Sequence, residues 1–281
     1  MYKIGLSTPC FPDEECFKGY KNAGIECMEI SVETELYEKL YFEDLDALSK
    51  KYDVEICSFH FPFLPFQSLD ISKEDLAKAS VEYLKTFIDK ATKIGISKFV
   101  IHASGEPIEE NEREARMACA KKSLYTLAEY AKEKGAIILV EDLPRTCLGR
   151  CISDIEELIS AHPNLYVCFD TNHLLYEDNV DFVKRLGKKI KSTHISDYDK
   201  VNERHWLPGE GKNDWQAIIK ALNEVGYDGP WLYEIRLECP GTIIRPRALT
   251  YDDFVRNANE LFEDKEPTIF STPKPNLGFW G

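Results

Sequence analysis

Short apolar runs alternate with amphipathic segments eight times along this chain. The runs are Lys3 to Thr8, Ile25 to Ser31, Val54 to Phe61, Lys98 to Ala103, Ile137 to Asp142, Leu165 to Asp170, Ile190 to His194 and Trp231 to Ile235. Each has strand length and is bounded by turn residues, as parallel strands covered on both faces are. The segments between them read as helices. Leu84, Phe87, Ile88 and Ala91 recur at three- and four-residue spacing and predict a core-facing stripe on the third helix. Ser72 with Asp75, Ser153 with Glu156 and Thr250 with Asp253 have capping-box spacing, which predicts helix starts there. Gly24, Gly95, Gly135 and Gly226 each stand between a helix and the next strand, where a left-handed residue ends a helix. Eight units over 281 residues average about 35 residues each, the size of a βα repeat. The pattern predicts an α/β fold, a single (β/α)8 TIM barrel over residues 1–264.

Residues 265–281 fall outside that count and form a tail. Phe270, Phe279 and Trp280 give it an aromatic load unusual for a free terminus, so it is expected to lie against the barrel or a neighbouring subunit.

Composition narrows the class. Hydrophobic content of 43% with 12% aromatic residues supplies a large core. No apolar stretch approaches the roughly 18 residues of a membrane helix, so no membrane partner is expected. Met1-Tyr-Lys-Ile leads into the first strand pattern without the n- and h-regions of a signal peptide. Nine cysteines, an odd number without a CxxC pair, fit reduced thiols in a cytoplasmic protein. Cys27, Cys57 and Cys168 sit inside apolar runs and read as small hydrophobes. The net charge of −14 counts against a nucleic-acid partner, because phosphate binding relies on clustered Lys and Arg. A small-molecule substrate is expected, and a homo-oligomer stays open.

Four runs in the second half end on metal-ligating side chains: Glu141, Asp170, His194 and Glu234. In a closed α/β barrel the carboxyl ends of the strands face the active-site mouth, so these four converge. Three oxygen donors with one imidazole suit a divalent cation that keeps positions open for substrate. For either glutamate the competing reading is a strand-end carboxylate in a salt bridge. Of the six histidines, His60, His102 and His194 end strands three, four and seven, and His173 and His205 fall in the loops after strands six and seven. Only His162 has no such position. Singly, each histidine reads as a hydrogen-bonded core or loop residue; five on one barrel face read as a site. Arg236 follows Glu234 by two and points to the same side while the strand continues. It is placed to bind a substrate hydroxyl, carboxylate or phosphate, or to pair with Glu141 or Asp142. Trp206, Phe61, Phe63 and Phe66 sit in mouth loops, where they suit the apolar face of a sugar or plain loop packing.

The motifs Val140-Glu141-Asp142, Phe169-Asp170-Thr171-Asn172-His173, Thr193-His194-Ile195-Ser196-Asp197, Arg204-His205-Trp206-Leu207-Pro208-Gly209-Glu210-Gly211 and Tyr233-Glu234-Ile235 resemble those of the xylose-isomerase-like TIM barrels. That superfamily includes ketose 3-epimerases, inosose and hydroxypyruvate isomerases or dehydratases, and endonuclease IV. By resemblance to the ketose 3-epimerases, Glu141, Asp170, His194 and Glu234 hold one divalent metal ion, Mn²⁺ or Mg²⁺ before Zn²⁺. His173 touches substrate oxygen, and His205 falls near where those epimerases carry an arginine; His60, His102, His205, Arg236 and Trp206 are the further candidates for substrate contact by their position at the mouth. Glu141 and Glu234 are then the catalytic pair. Proton transfer beside a carbonyl needs a Lewis acid on the enediolate oxygens and an acid/base on each face, which two metal-proximal glutamates supply. The implied activity is a sugar or polyol isomerase/epimerase. By resemblance to endonuclease IV, His60, His102, Glu141, Asp170, His173, His194, Glu203, His205 and Glu234 form a three-zinc cluster of an AP endonuclease; a sugar-binding barrel without catalysis is a third reading.

Overall fold

A computed structural model describes residues 2–8, 10–275 and 277–279; Trp280, counted above in the tail, lies outside the described residues. All eight predicted strands are present: β1 (Ile4–Ser7), β2 (Cys27–Ile30), β3 (Glu55–His60), β4 (Lys98–Ile101), β5 (Ile137–Glu141), β6 (Leu165–Asp170), β7 (Ile190–His194) and β8 (Trp231–Tyr233). They form one parallel sheet in the order β7-β6-β5-β4-β3-β2-β1-β8. Backbone bonds from Ile195 N–H to the Leu232 carbonyl (2.8 Å) and from Glu234 N–H to the Ile195 carbonyl (3.2 Å) bring β7 against β8. The result is a (β/α)8 barrel.

The outer layer is built from α1 (Glu14–Ala23), α2 (Phe42–Tyr52), α3 (Glu74–Ala91), α4 (Arg113–Glu133), α5 (Ile152–Ile159), α6 (Asn179–Leu186), α7 (Trp215–Glu224) and α8 (Tyr251–Phe262). Leu84, Phe87, Ile88 and Ala91 are the buried stripe of α3, as their spacing predicts. Thr250 and Asp253 close the predicted capping box of α8. The other two boxes do not form. Helix α3 starts at Glu74, and Ser72 instead donates to Asp70 (2.6 Å) and accepts from Arg116 Nε (2.8 Å). Helix α5 starts at Ile152, so Ser153 lies inside it, and the Ile152 N–H is capped from outside by Glu177 (2.5 Å). Gly24, Gly95, Gly135 and Gly226 have φ of +88°, +90°, +74° and +70°, the left-handed values that end the helices before the next strand.

Strand periodicity decides which side chains fill the barrel. Val100, Leu139 and Cys168 form a small cluster apart from the large one between strands and helices, and so mark the interior face of β4, β5 and β6. Two residues on, with the same side-chain direction, come His102, Glu141 and Asp170. The interior of the barrel is thus apolar midway along and carries ligand-type groups at the carboxyl ends.

After α8 the tail returns along the barrel. Thr272–Pro273 (β10) pairs antiparallel with Ile243–Ile244 (β9). Phe270 lies under the Arg247 and Arg256 guanidinium groups, and Ser271 donates to Glu210 (2.5 Å). Further on, the carbonyls of Gly278 and Phe279 accept from Arg204 Nη2 and Asn202 Nδ2, both at 2.8 Å. Among the described residues no helix is long and apolar enough to cross a membrane.

Candidate metal centre and active site

Glu141, Asp170, His194 and Glu234 each offer one donor atom, and these atoms lie within 4.8 Å of one another. His194 Nδ1 is 2.9 Å from Glu141 Oε1, 3.6 Å from Glu234 Oε2 and 3.9 Å from Asp170 Oδ2. Its other nitrogen, Nε2, is 2.9 Å from Glu29 Oε1. Glu29 is fully buried at the carboxyl end of β2 and also accepts from Ser58 (2.7 Å) and Ser7 (3.3 Å). It therefore takes the Nε2 proton and turns Nδ1 toward the carboxylates; Nδ1 donates to Glu141 here, and loss of that one proton would leave its lone pair for a metal, the usual arrangement behind a ligating histidine.

The other mouth histidines are oriented in the same manner. His60 Nδ1 donates to the Phe61 carbonyl (2.7 Å), His173 Nδ1 to the Asp142 carbonyl (2.8 Å) and His205 Nδ1 to the Glu234 carbonyl (3.1 Å). Their Nε2 atoms are left for other partners. His60 Nε2 and His102 Nε2 both lie 3.1 Å from Glu141 Oε2, and His173 Nε2 lies 3.3 Å from Glu203 Oε2. Two more donor groups result, His60 with His102 and Glu141, and His173 with Glu203 and His205.

The charge balance of this interior calls for cations. Burial pushes the Asp170 carboxyl well above the carboxylate range, and the nearby Glu234 and Glu141 add to it against the pull of His173. Burial opposes ionisation of Glu141 as well, but His194 and His102 outweigh it and hold that carboxyl well below the usual range. Burial disfavours charge on His173 and His194, yet the surrounding acidic groups raise both well above an ordinary imidazole. Protons thus gather where a metal would sit. Asp170 Oδ2 is buried with no hydrogen-bond partner, a costly arrangement that a cation beside it relieves. Oxygen-rich donors, a spare carboxylate oxygen and a correctly turned imidazole fit a divalent ion.

A cavity of about 930 Å³ opens above the group. Glu141, Glu234, His102, His173, His205 and Arg236 line it, whereas Asp170, His194 and His60 lie beneath its floor. Burial pushes the His102 pKa down, which favours the neutral ring. Trp206 departs from the expectation of a substrate contact. Its backbone pairs with Asp197 in an antiparallel bridge, which turns the side chain under the loop with its indole N–H on Thr242 (2.9 Å) and leaves it 1% exposed. Phe63 and Phe66 line the cavity in its place, while Phe61 is core. Arg236 pairs with Glu33 (2.8 Å), not with Glu141 or Asp142, and its side chain is 76% exposed. His162 packs at the opposite end of β6 and contacts Glu129.

Glu29 and Arg145 are the site residues that the sequence reading passed over. Glu29 carries the same signal as the ligands, an acidic residue near the end of an apolar strand run. Arg145, in the loop after β5, reaches Glu106 Oε2 (3.0 Å), Glu203 Oε1 (2.9 Å) and Asn202 Oδ1 (2.9 Å), tying together the loops after β4, β5 and β7. Arg145 and His205, both on the cavity, adopt left-handed φ values of 55° and 50°, the kind of strain that functional sites retain.

Residues 17–257 match the family profile of the xylose isomerase-like TIM barrel. The chain is 30% identical over 177 residues to a ketose 3-epimerase of Arthrobacter globiformis, covering 59% of either protein. It is 24% identical over 233 residues to a fructoselysine 3-epimerase of Shigella flexneri, covering 75% of this chain and 82% of that one. The solved structure of a D-tagatose 3-epimerase-like protein superposes with a TM-score of 0.79 at 22% identity, over 93% of this chain and 97% of the other.

Proposed function

Since the chain belongs to the xylose isomerase-like TIM barrel family, we propose that it is a divalent-metal-dependent sugar or polyol isomerase/epimerase that moves a proton at the carbon beside a carbonyl. One observation carries the reading: of the four clustered donors, only Glu141 and Glu234 border the cavity. Asp170 and His194, fully buried, serve to hold the ion; the two glutamates also reach the substrate. The ketose and fructoselysine 3-epimerases among the relatives support the same reaction class.

When bound by Glu141, Asp170, His194 and Glu234, a divalent ion supplies a Lewis acid that lowers the cost of negative charge on the substrate oxygens. Mn²⁺ or Mg²⁺ suits this oxygen-rich set, and Zn²⁺ is compatible with it. One glutamate takes the proton from the reacting carbon and the other returns one on the opposite face. His102, kept neutral by burial, and His173 donate to or accept from substrate hydroxyls at the cavity floor. Glu29 fixes the ring of His194, and Arg145 fixes the loop that carries His205.

The test is turnover of ketoses and inososes in D₂O with the metal-loaded enzyme. Solvent deuterium is expected at the carbon next to the carbonyl. Product without deuterium would indicate a hydride shift and overturn the proton-transfer mechanism.

A nuclease reading is favoured by one observation, the two additional donor groups that include His60, His102, His173, Glu203 and His205. Six glutamates against three arginines on the cavity oppose a phosphate backbone there. One tightly held ion by elemental analysis and no cleavage of abasic duplex DNA are expected. Three stoichiometric zinc ions with salt-sensitive nicking would reverse the order.

A further inference from the structure

The cavity is larger and more divided than a monosaccharide requires. Its volume of about 930 Å³ is at the top of the range that holds drug-sized ligands. A free sugar at the metal would leave much of it filled with water. The walls differ in chemistry from side to side. On the β4 to β8 side Glu106, Arg145, Glu203 and His205 stand around the candidate metal ligands, with Leu143 and Ile235 beside them and, among the described residues, no aromatic ring other than the imidazoles. Glu33, Ser31 and Thr8 add polar groups on the β1 and β2 side. The loops after β1, β2 and β3 supply Phe11, Leu36, Phe63, Leu64 and Phe66. Phe63 belongs to the metal end, with its ring centroid 4.3 Å from that of His102, and is enough for the apolar face of one sugar ring. The remaining four line the rest of that side. Phe11 and Leu64, both lining the cavity, are 37% and 41% exposed, large apolar side chains left open to solvent.

The charges argue against a phosphorylated ligand. Each arginine lining the cavity is already paired with a carboxylate: Arg145 with Glu106 and Glu203, Arg204 with Asp199, and Arg236 with Glu33. An incoming phosphate would meet six glutamates and find these guanidinium groups engaged.

Resting on the isomerase/epimerase reading above, we propose that the substrate is an uncharged carbonyl sugar bearing an apolar, ring-sized substituent, a conjugate that keeps a free or ring-opening carbonyl, for which simple glycosides serve as non-reacting binding probes. The sugar sits on the metal side and the substituent lies along Phe11, Leu36, Leu64 and Phe66.

Binding to the full-length, Mn²⁺-loaded protein tests this without requiring turnover. The probes are the p-nitrophenyl and methyl glucopyranosides, both anomers of each, and glucose 6-phosphate, followed by calorimetry. At least one p-nitrophenyl glycoside is expected to bind about tenfold or more tighter than its methyl counterpart, as burial of an aromatic ring gives, and the phosphate to bind weakest. In Phe11→Ser and Leu64→Ser that ratio is expected to fall at least threefold, roughly one half of the logarithmic gain. Both side chains are partly exposed, so the fold tolerates the changes, with the thermal midpoint as control. Equal affinity for aryl and methyl glycosides, no measurable binding of either, tighter binding of the phosphate, or an aryl preference that survives both substitutions would each overturn the proposal. Deuterium exchange separates it from the reaction class. Fast exchange into unsubstituted ketoses without aryl preference leaves proton transfer standing and removes the conjugate. Aryl preference with no exchange into any carbonyl sugar does the reverse.

Discussion

Glu29 Oε1 lies 2.9 Å from Nε2 of His194, on the side of the imidazole away from Nδ1, which faces Glu141. Two fully buried side chains from β2 and β7 thereby fix one tautomer. Glu29→Gln is expected to lower metal affinity by about 10- to 100-fold, measured by titration with Mn²⁺, and excess metal should restore turnover. Unchanged affinity would show that Glu29 only fills the barrel.

Glu234 joins the ligand set to the cavity, so its replacement should fail in a different way. Glu234→Gln is expected to abolish turnover at any metal concentration, because it removes a ligand charge and a base together. His162, at the far end of the barrel, is the control: His162→Gln should leave turnover near wild type. A Glu234→Gln enzyme with wild-type turnover and metal content would move the site elsewhere.

Cys10 is exposed at the cavity beside the Tyr251 hydroxyl, 3.6 Å away. Hydrogen bonding from Cys16, assisted by Tyr251 and opposed by burial, lowers its thiol pKa to about 7. Iodoacetamide should therefore label Cys10 before the buried thiols, with a rate that rises to half its maximum near pH 7. Peptide mapping that finds a buried cysteine labelled first would contradict this.

The tail holds the loop that carries Glu203 and His205, through Asn202 and Arg204. Removal of residues 265–281 should leave a folded barrel with turnover reduced roughly 10- to 100-fold, since small misplacements of substrate-positioning groups are costly. Asn202→Ala should reproduce part of the loss. Circular dichroism separates a folded, slow enzyme from an unfolded one, and wild-type kinetics of the truncated chain would remove the tail from the site.

Asp253 caps α8 and pairs with Arg247 and Arg256. Burial would raise its pKa, but the Arg247 guanidinium with the Thr250 N–H and hydroxyl outweighs it and holds the carboxyl well below the usual range. A folded-state pKa below the unfolded value stabilises the protein above the unfolded pKa, about 3.9, and that stability is lost as pH falls towards the folded value. Asp253→Asn should cost about 1–2 kcal/mol at pH 7, and the gap to wild type should narrow below about pH 4 in denaturant melts. A gap independent of pH would mean that the charge is irrelevant.

The parts of this site that were legible in the sequence are those that strand periodicity controls. Glu141, Asp170, His194 and Glu234 each end an apolar run, and alternation along a parallel strand leaves them one direction to point. Glu29 had the same signal but ended a run in the first half, away from the four candidate ligands. Loop residues carry no such rule. Trp206 was expected at the cavity, but the bridge between its backbone and Asp197 turned it inward, a pairing that spacing does not encode. Ser72 and Ser153 show the same limit for helix caps: their spacing was suitable, but Arg116 drew Ser72 into a buried network, and Glu177, distant in sequence, capped α5.

The donors at the mouth come from β5, β6, β7 and β8, and the histidine that three of them surround is held from β2. No contiguous fragment of the chain owns this assembly; it exists only once the ring has shut. Under the proposed metal-dependent reading, ion capture is a reporter of closure and links ion to fold: a native state that binds where the unfolded chain does not gains about 1.4 kcal/mol for each tenfold rise in free ion above the dissociation constant. The acidic groups that make the empty interior unfavourable are the ones that make the loaded one hard to open.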